Sequence, residues 1–224
     1  MRVHFSNVNF SSRSGPNSFA QRLADELTVM GHHIVSETER HEVSLIFIEP
    51  TSRPLPGTKK LLRLDGIWFR PDQFESHNKL IKWAYDNVDR VIWQSEFDRK
   101  MTEKWWGDKM GSVIHNGISL DTVDPFERSG ELAGDPLIVC SASWHPQKRL
   151  SDNIRLFNQI KKTKPKAKLI VMGSVPSVEL DILMRTEDLS RVKFMGNLPH
   201  RDCLRIFAAS DWMLHLAWLD HCPN

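Results

Sequence analysis

The sequence contains no apolar run approaching the roughly 20 residues that span a bilayer; its longest are pieces such as LIFI and KLIVM. Its first residues, MRVHFSNVNF, hold no apolar stretch of signal-peptide length. Cysteine is scarce: Cys140, Cys203 and Cys222 are widely spaced, odd in number and form no CxxC pair. That excludes a disulfide framework and a cysteine-based zinc site, and leaves reduced, mostly buried thiols in a cytoplasmic protein as the expectation. Excess charge is also lacking. A net charge of +2 gives no bulk attraction for nucleic acid or an anionic membrane, so any grip on a polyanion must be local. There is no G-x-G-x-x-G, no Walker A loop, no HExxH and no Asp-x-Asp. A phosphorylated ligand, if bound, must therefore be held by protein donors in place of a divalent cation.

What remains is an ordinary globular composition, 224 residues with 40% hydrophobic and 26% charged, enough for one large domain or two small ones. Short apolar runs alternate with helical periods. RVHF reads as a strand. Phe19, Ala20, Leu23, Ala24, Leu27 and Met30 then recur at helical spacing, with Pro16 in the first turn and Gly31 as a left-handed cap. HHIV, VSLIFI and KLLRL read as strands, Phe74 to Val88 as a helix with Leu80, Ile81, Ala84 and Tyr85 on or near one face, and RVIWQ as a strand. Ser95 and Asp98 cap a helix carrying Phe97, Met101 and Trp105, and SVIH is a further strand. The stretch from Ser119 to Pro136 is polar and aperiodic, which sets an expected linker at 125–136 between units 1–124 and 137–224. Beyond it come LIVCSA, a helix over 151–161, KLIVM, the helix SVELDILM, VKFMG, a helix over 199–209 and a last strand, WMLHLAWL. Strands alternating with helices predict an α/β protein with two parallel sheets, and the unbroken apolar runs predict strands buried on both faces.

One junction stands out. SASWHPQKRL, from Ser141 to Leu150, puts two rings, a proline and two adjacent cations where a strand hands over to a helix. In open parallel sheets ligands sit beyond the carboxyl ends of strands. Lys148 and Arg149 would be delivered there, beside a helix start whose unpaired N–H groups also face an anion. The alternative is a pair of solvated turn charges. Gly15 ahead of the first helix is either a close-approach glycine or a tight turn, and Asp65-Gly66 is either a strand-end functional acid or a turn pair. Asn116-Gly117 is likewise a turn signal, with His115 at a strand end. Of the adjacent Trp105 and Trp106, one ring packs and the other is partly exposed.

In order and spacing these pieces resemble the nucleotide-sugar glycosyltransferases of GT-B fold, family 4 type (glycosyl transferases group 1). SGPNSFAQRLADELTVMGH is similar to that family's glycine loop and first helix. RVIWQSEFDRKMTEKWWG with SVIHNGI is similar to its Ser-started helix and its crossing between lobes. IVCSASWHPQKRL is similar to the donor-phosphate segment, and VKFMGNLPHRDCLRIFAASDWMLHLAWLDHCPN to the run leading to its acidic motif. The resemblance implies two Rossmann-like lobes, the second incomplete, because the family's second motif glutamate would fall at position 228 and the sequence stops at Asn224. The chain is accordingly expected to be C-terminally truncated and unable to turn over as it stands.

The resemblance also implies transfer of a sugar from a UDP- or GDP-type donor to an unknown glycan, lipid or small-molecule acceptor, independent of metal or cofactor and with retained configuration. Donor would bind the second lobe and acceptor the first. Carried over by position, Lys148 with Arg149 and Ser143 would meet the donor phosphates. Asp220 would touch the sugar, and Asp65 and Gly15 would face the reacting centre. Gly173, Ser174, Met195, Gly196 and Asn197 would border the base. Ser143 stands where the family has an arginine, and Arg149 where it has a glycine. Nucleic acid is not an implied partner. Peripheral membrane contact suits a family with lipid-linked acceptors, although no basic amphipathic helix announces it. Other readings are a non-catalytic sugar- or nucleotide-binding protein, an inactive transferase fragment, and an epimerase or phosphorylase of the same shape.

Overall fold

Continuous apolar strands need cover on two sides, and the computed structural model gives them that cover in each of two units. It describes residues 1–12, 14–117 and 128–218; Asp220 and Cys222 lie outside them. The first unit holds Met1–Gly117, and the second lies within Ile118–Asp220.

The first unit is a six-stranded sheet of β1 (Arg2–Ser6), β2 (His33–Val35), β3 (Val43–Phe47), β4 (Lys59–Leu64), β5 (Arg90–Trp93) and β6 (Gly111–Val113), in the order β2-β1-β3-β4-β5-β6. Every pairing is parallel. Side chains alternate across each strand. Leu45 and Phe47 therefore join Val3 and Phe5 against Ala20 and Ala24 of helix α1 (Gly15–Val29). Ile46 joins Leu62 and Leu64 on the opposite face, against Ile81, Ala84 and Tyr85 of α2 (Pro71–Asn87). Each fully buried Leu, Ile or Phe contributes about 1.5–3 kcal/mol.

Local chemistry sets the helix ends. Pro16 sits in the first turn of α1, and Gly31 at φ +80° closes it: His32 N–H bonds the Leu27 carbonyl and Gly31 N–H the Thr28 carbonyl, a Schellman pair. Met30, placed in the helical stripe from sequence, is instead the exposed C-cap. Helix α2 starts at Pro71, earlier than the sequence pattern indicated, because proline is favoured in the first turn. Ser95 Oγ accepts from Asp98 N–H at 3.1 Å and caps α3 (Glu96–Trp106). Its Phe97 and Trp105 are exposed, while Asp98 and Thr102 are buried, so the apolar stripe is not the covered face of this helix. Leu80 of α2 is likewise half exposed. Trp106 packs edge-on to Tyr85 while Trp105 lies outside.

In the second unit the sheet order is β10-β7-β8-β9, from β7 (Leu137–Ser141), β8 (Lys168–Met172), β9 (Val192–Gly196) and β10 (Trp212–Met213), again all parallel. One face carries Ile138, Cys140, Leu169 and Val171 against Leu150, Ile154 and Phe157 of α4 (Leu150–Thr163) and Leu183 of α5 (Ser177–Thr186). The other carries Leu137, Val139, Ile170 and Met172 against Ile206 and Ala209 of α6 (His200–Ala209). Burial pushes the Cys140 thiol up to about 12, which makes it inert. The last strand is shorter than WMLHLAWL suggested; only Trp212 and Met213 pair, with Ile138 and Val139. Among the described residues no helix is long and apolar enough to cross a membrane.

Of the segment read as a linker, residues 128–136 belong to this packing. Gly130–Leu132 forms a 3₁₀ turn and Leu132 is buried beside Leu137 and Val139. Arg128 grips Asp211 with two bonds at 2.8 and 2.6 Å, and Asp211 also accepts from Leu137 N–H at 2.8 Å. The Arg128 guanidinium, then the Leu137 N–H, hold the Asp211 carboxyl below its ordinary value. A depressed carboxyl contributes stability that is fully present above the unfolded-state pKa, near 4, and is lost as pH falls through the folded value. Asp211→Ala is thus expected to lower stability by about 1 kcal/mol near neutrality, since the pair is a third exposed and screened. Urea titrations should show the gap to the wild type constant above about pH 5 and shrinking below about pH 4. A gap independent of pH would exclude the ion pair as its source.

Candidate functional site

The order of each sheet fixes where a ligand can sit. In the second unit β7 has β8 and β9 on one side and β10 on the other, so the chain reverses its direction of winding at β7. The crevice beyond the carboxyl end of such a strand is the usual ligand position in open parallel sheets. The turn leaving β7 is SASWHPQKRL. Trp144 pegs it down: the ring is buried, Nε1 donates to the Met172 carbonyl at 2.9 Å, and the backbone N–H donates to the Ser174 carbonyl at 3.1 Å. Ser143 and His145 on either side are exposed.

Pro146–Lys148 then forms a 3₁₀ turn, and Arg149 caps α4 in the left-handed conformation, φ 54° and ψ 52°. Buried Asn153 clasps this start, with Nδ2 donating to the Arg149 carbonyl at 2.8 Å and the Lys148 carbonyl at 3.3 Å. The N–H groups of Leu150, Ser151 and Asp152 occupy the first turn, where no carbonyl of the helix can pair them. Lys148 is half-buried on this turn. Arg149 lies along the helix, its Nε donating to Asp152 at 2.7 Å.

The exits of β8 and β9 close on the same edge. Gly173, at φ +100°, comes so near Ala142 that a Cβ would stand 1.8 Å from its carbonyl oxygen. Its N–H donates to the Gly196 carbonyl at 2.8 Å. Gly196, ending β9, and Ser174 and Asn197 beyond the strands are exposed, and Met195 is half-buried against the cluster of Leu137, Val139, Ile170 and Met172. Trp218 N–H reaches the Gln147 carbonyl at 2.8 Å, bringing the chain after β10 back to the turn. Ser143, Lys148, Arg149, Gly173, Ser174, Met195, Gly196 and Asn197 thus share one sheet edge. Asp220 lies outside the described residues.

In the first unit the sheet changes winding direction at β1. Gly15 opens α1 near this edge and is exposed. Asp65 follows β4, and its carboxylate accepts from Arg63 Nη1. Arg63 is only 3% exposed. Its guanidinium lies 4.0 Å from the Phe19 ring centroid, and Nη2 donates to Asn116 Oδ1 at 3.1 Å. Asn116 in turn donates to buried Gln94 at 2.5 Å. Arg63, Gln94 and Asn116 were not singled out from sequence as site residues; the available signal was a charge inside the apolar run KLLRL. Ile48, at the end of β3, has φ +68° with Glu49 N–H bonded to the Phe47 carbonyl, a γ-turn that a β-branched residue rarely adopts. Strain of this kind gathers at functional edges. In this unit lies a cavity of about 430 Å³ whose lining mixes apolar Phe5 and Val8 with polar His4, Asn7, Asn9, Asn17, Glu37 and Thr51. Among the described residues no group of three His, Cys, Asp or Glu side chains is assembled for a metal.

No family model matches the sequence, and neither does any curated protein. Solved structures do match. Sucrose-phosphate synthase from Thermosynechococcus elongatus aligns with TM-score 0.79 at 13% identity, over 100% of this chain and 77% of that one. HepE from Anabaena, solved in complex with UDP and glucose, aligns with TM-score 0.67 at 14% identity, over 99% and 75%. The lipopolysaccharide outer core galactosyltransferase WaaB, in apo form, aligns with TM-score 0.63 at 11% identity, over 100% and 76%. At these identities the likeness concerns the fold: an α/β chain of two Rossmann-like parallel-sheet units, the GT-B class.

Proposed function

We propose that this chain is a glycosyltransferase that moves a sugar from a nucleoside diphosphate donor, of UDP or GDP type, to an acceptor hydroxyl, without a metal and with retained configuration. One observation carries the reading. Lys148, the first turn of α4 and the close approach of Gly173 to Ala142 converge on one sheet edge, beyond the strand where the winding reverses. This arrangement suits a diphosphate. The N–H groups of a helix start and an ammonium both favour anions, and Gly173, whose missing side chain leaves room for the Ala142 carbonyl, draws the exits of β7 and β8 together beside them.

In the reaction the bond from the anomeric carbon to the diphosphate oxygen breaks, and its electron pair leaves with the diphosphate. The acceptor oxygen forms the new bond and gives up its proton to the departing phosphate oxygen. Lys148 and the α4 amides stabilise the charge that develops on the leaving group. Ser143 offers a hydroxyl to the same phosphates, and the loops at Gly173-Ser174 and Met195-Gly196-Asn197 border the base. Asp220 contacts the sugar. On the acceptor side, Asp65, oriented by Arg63, and Gly15 face the reacting group. The amides of Asn7, Asn9 and Asn17 and the Thr51 hydroxyl, in a first-unit cavity that also holds Glu37, His4, Phe5 and Val8, support an acceptor that carries hydroxyls.

A non-catalytic nucleotide-binding role is the second reading. It is favoured by Ser143 in place of a cation and by the Arg149 guanidinium being engaged by Asp152. Incubation of the full-length gene product with UDP- and GDP-sugars in EDTA, with chromatography of the released nucleotide, separates the two. Acceptor-dependent release of UDP or GDP is the expected result. Calorimetric binding of the nucleotide without release supports the second reading, and neither binding nor release overturns both.

A further inference from the structure

A second cavity, of about 370 Å³, lies in the first unit between the end of α2 and the segment that follows β3. Lys60 near the start of β4 and Val88 just ahead of β5 put it towards the amino ends of those strands, away from Asp65 at the carboxyl end of β4. Its floor is apolar, from buried Ile46 and Val88. One wall is the Trp83 indole, 39% exposed on a helix whose neighbouring Ala84 and Tyr85 are buried. Both charged residues in the lining, Arg53 and Lys60, are cations. Neither side chain has an ion pair or hydrogen bond among the described residues. Some cations elsewhere on this unit are paired: Lys82 with Asp86, Arg99 with Glu103, Arg2 with Glu39.

We infer that this cavity binds a phosphate ester carried on a ring, with the phosphate between Arg53 and Lys60 and the ring against Trp83. Two cations with no acid in the lining match a dianion, and the guanidinium fork matches phosphate oxygens, although the Asp89 carboxylate also acts on Lys60. The indole and the apolar floor supply what inorganic phosphate alone would leave uncovered. Lys60 is held for this purpose by its backbone: its N–H donates to Asp89 at 2.7 Å and its carbonyl accepts from Asp89 N–H at 2.9 Å. Asn87, bonded to the Trp83 carbonyl at 2.8 Å, ties off the helix end beside the indole. The site belongs to the first unit alone and does not depend on the donor reading given above.

Phenyl phosphate is a probe carrying both features. Titrated into the ¹⁵N-labelled protein, it should move the indole N–H signal of Trp83, assigned with Trp83→Phe, in a saturable way. Inorganic phosphate should act more weakly, and phenol should leave the signal in place. Arg53→Ala should weaken the titration about 10-fold or more, and Arg53→Ala with Lys60→Ala should abolish it. Both positions are on the surface or half-buried, and circular dichroism checks that the variants fold. A Trp83 signal that does not move, that moves equally with phenol, or that is indifferent to both cation replacements overturns the proposal. So does sedimentation with phosphatidylglycerol vesicles that depends on Arg53 while phenyl phosphate fails to bind, because the cations would then serve a membrane surface.

Discussion

Lys148→Ala is expected to cut affinity for a nucleoside diphosphate by about 10- to 150-fold, the equivalent of one charge-assisted hydrogen bond of about 1.5–3 kcal/mol. Its effect on transfer should be at least as large, because the ammonium faces negative charge that grows on the diphosphate as the glycosidic bond breaks. The fold should survive, since Lys148 lies on a short turn outside the buried clusters. Lys148→Arg should restore part of the loss. Arg149→Ala should matter far less, because that guanidinium is directed along α4 to Asp152. Calorimetry with UDP and GDP, in EDTA, reads all three variants. Unchanged affinity in Lys148→Ala would remove the phosphate role from this turn.

Gly173→Ala carries the largest expected cost in stability. A side chain at φ +100° is disfavoured by about 1–2 kcal/mol, and its Cβ would have to displace the Ala142 carbonyl from 1.8 Å, which as overpacking costs about 1–3 kcal/mol more. The sum, about 2–5 kcal/mol, is a large part of the stability of a unit this size. Gly196→Ala is the internal control. It has φ +63° but nothing within 4 Å of the added carbon, so only the conformational cost applies. In urea unfolding followed by circular dichroism, Gly173→Ala should lose clearly more stability than Gly196→Ala. Equal losses would mean that the β7 and β8 exits do not approach each other as closely as described.

The elements were largely legible in the sequence because they rest on local chemistry. Pro16 and Gly31 mark α1, the Ser95 hydroxyl marks the start of α3, and the unbroken runs VSLIF and LIVCS mark strands covered on two faces. Orientation was less legible. Phe97, Met101 and Trp105 share a stripe, yet α3 buries Asp98 and Thr102. Periodicity says that a helix has an apolar side and leaves open which side meets the sheet.

The basic, aromatic turn after β7 was visible as residue types, and the resemblance implied the phosphate role proposed for it. The sequence could not tell where the Arg149 side chain is directed. Arg149 stands at a left-handed cap, where a glycine would fit without cost, and its side chain is taken by Asp152 only because the helix begins at that point. Arg63 was harder still. A charge in the run KLLRL has no visible partner in the sequence, and only the fold brings Asn116, 53 positions away, and the ring of Phe19 to it.

By itself, then, the sequence determined that this chain makes alternating strands and helices with apolar runs to bury, for these follow from side-chain volume, backbone freedom and caps within a few residues of one another. Strand order was decided only in three dimensions. It sets β1 and β7 where the winding reverses and so selects which loops lie beside one another, since pairing depends on contacts between residues far apart in the chain. Tertiary structure also decided that Arg53, Lys60 and Trp83 share a cavity, because nothing in their spacing foretells that a loop will fold over the end of a helix.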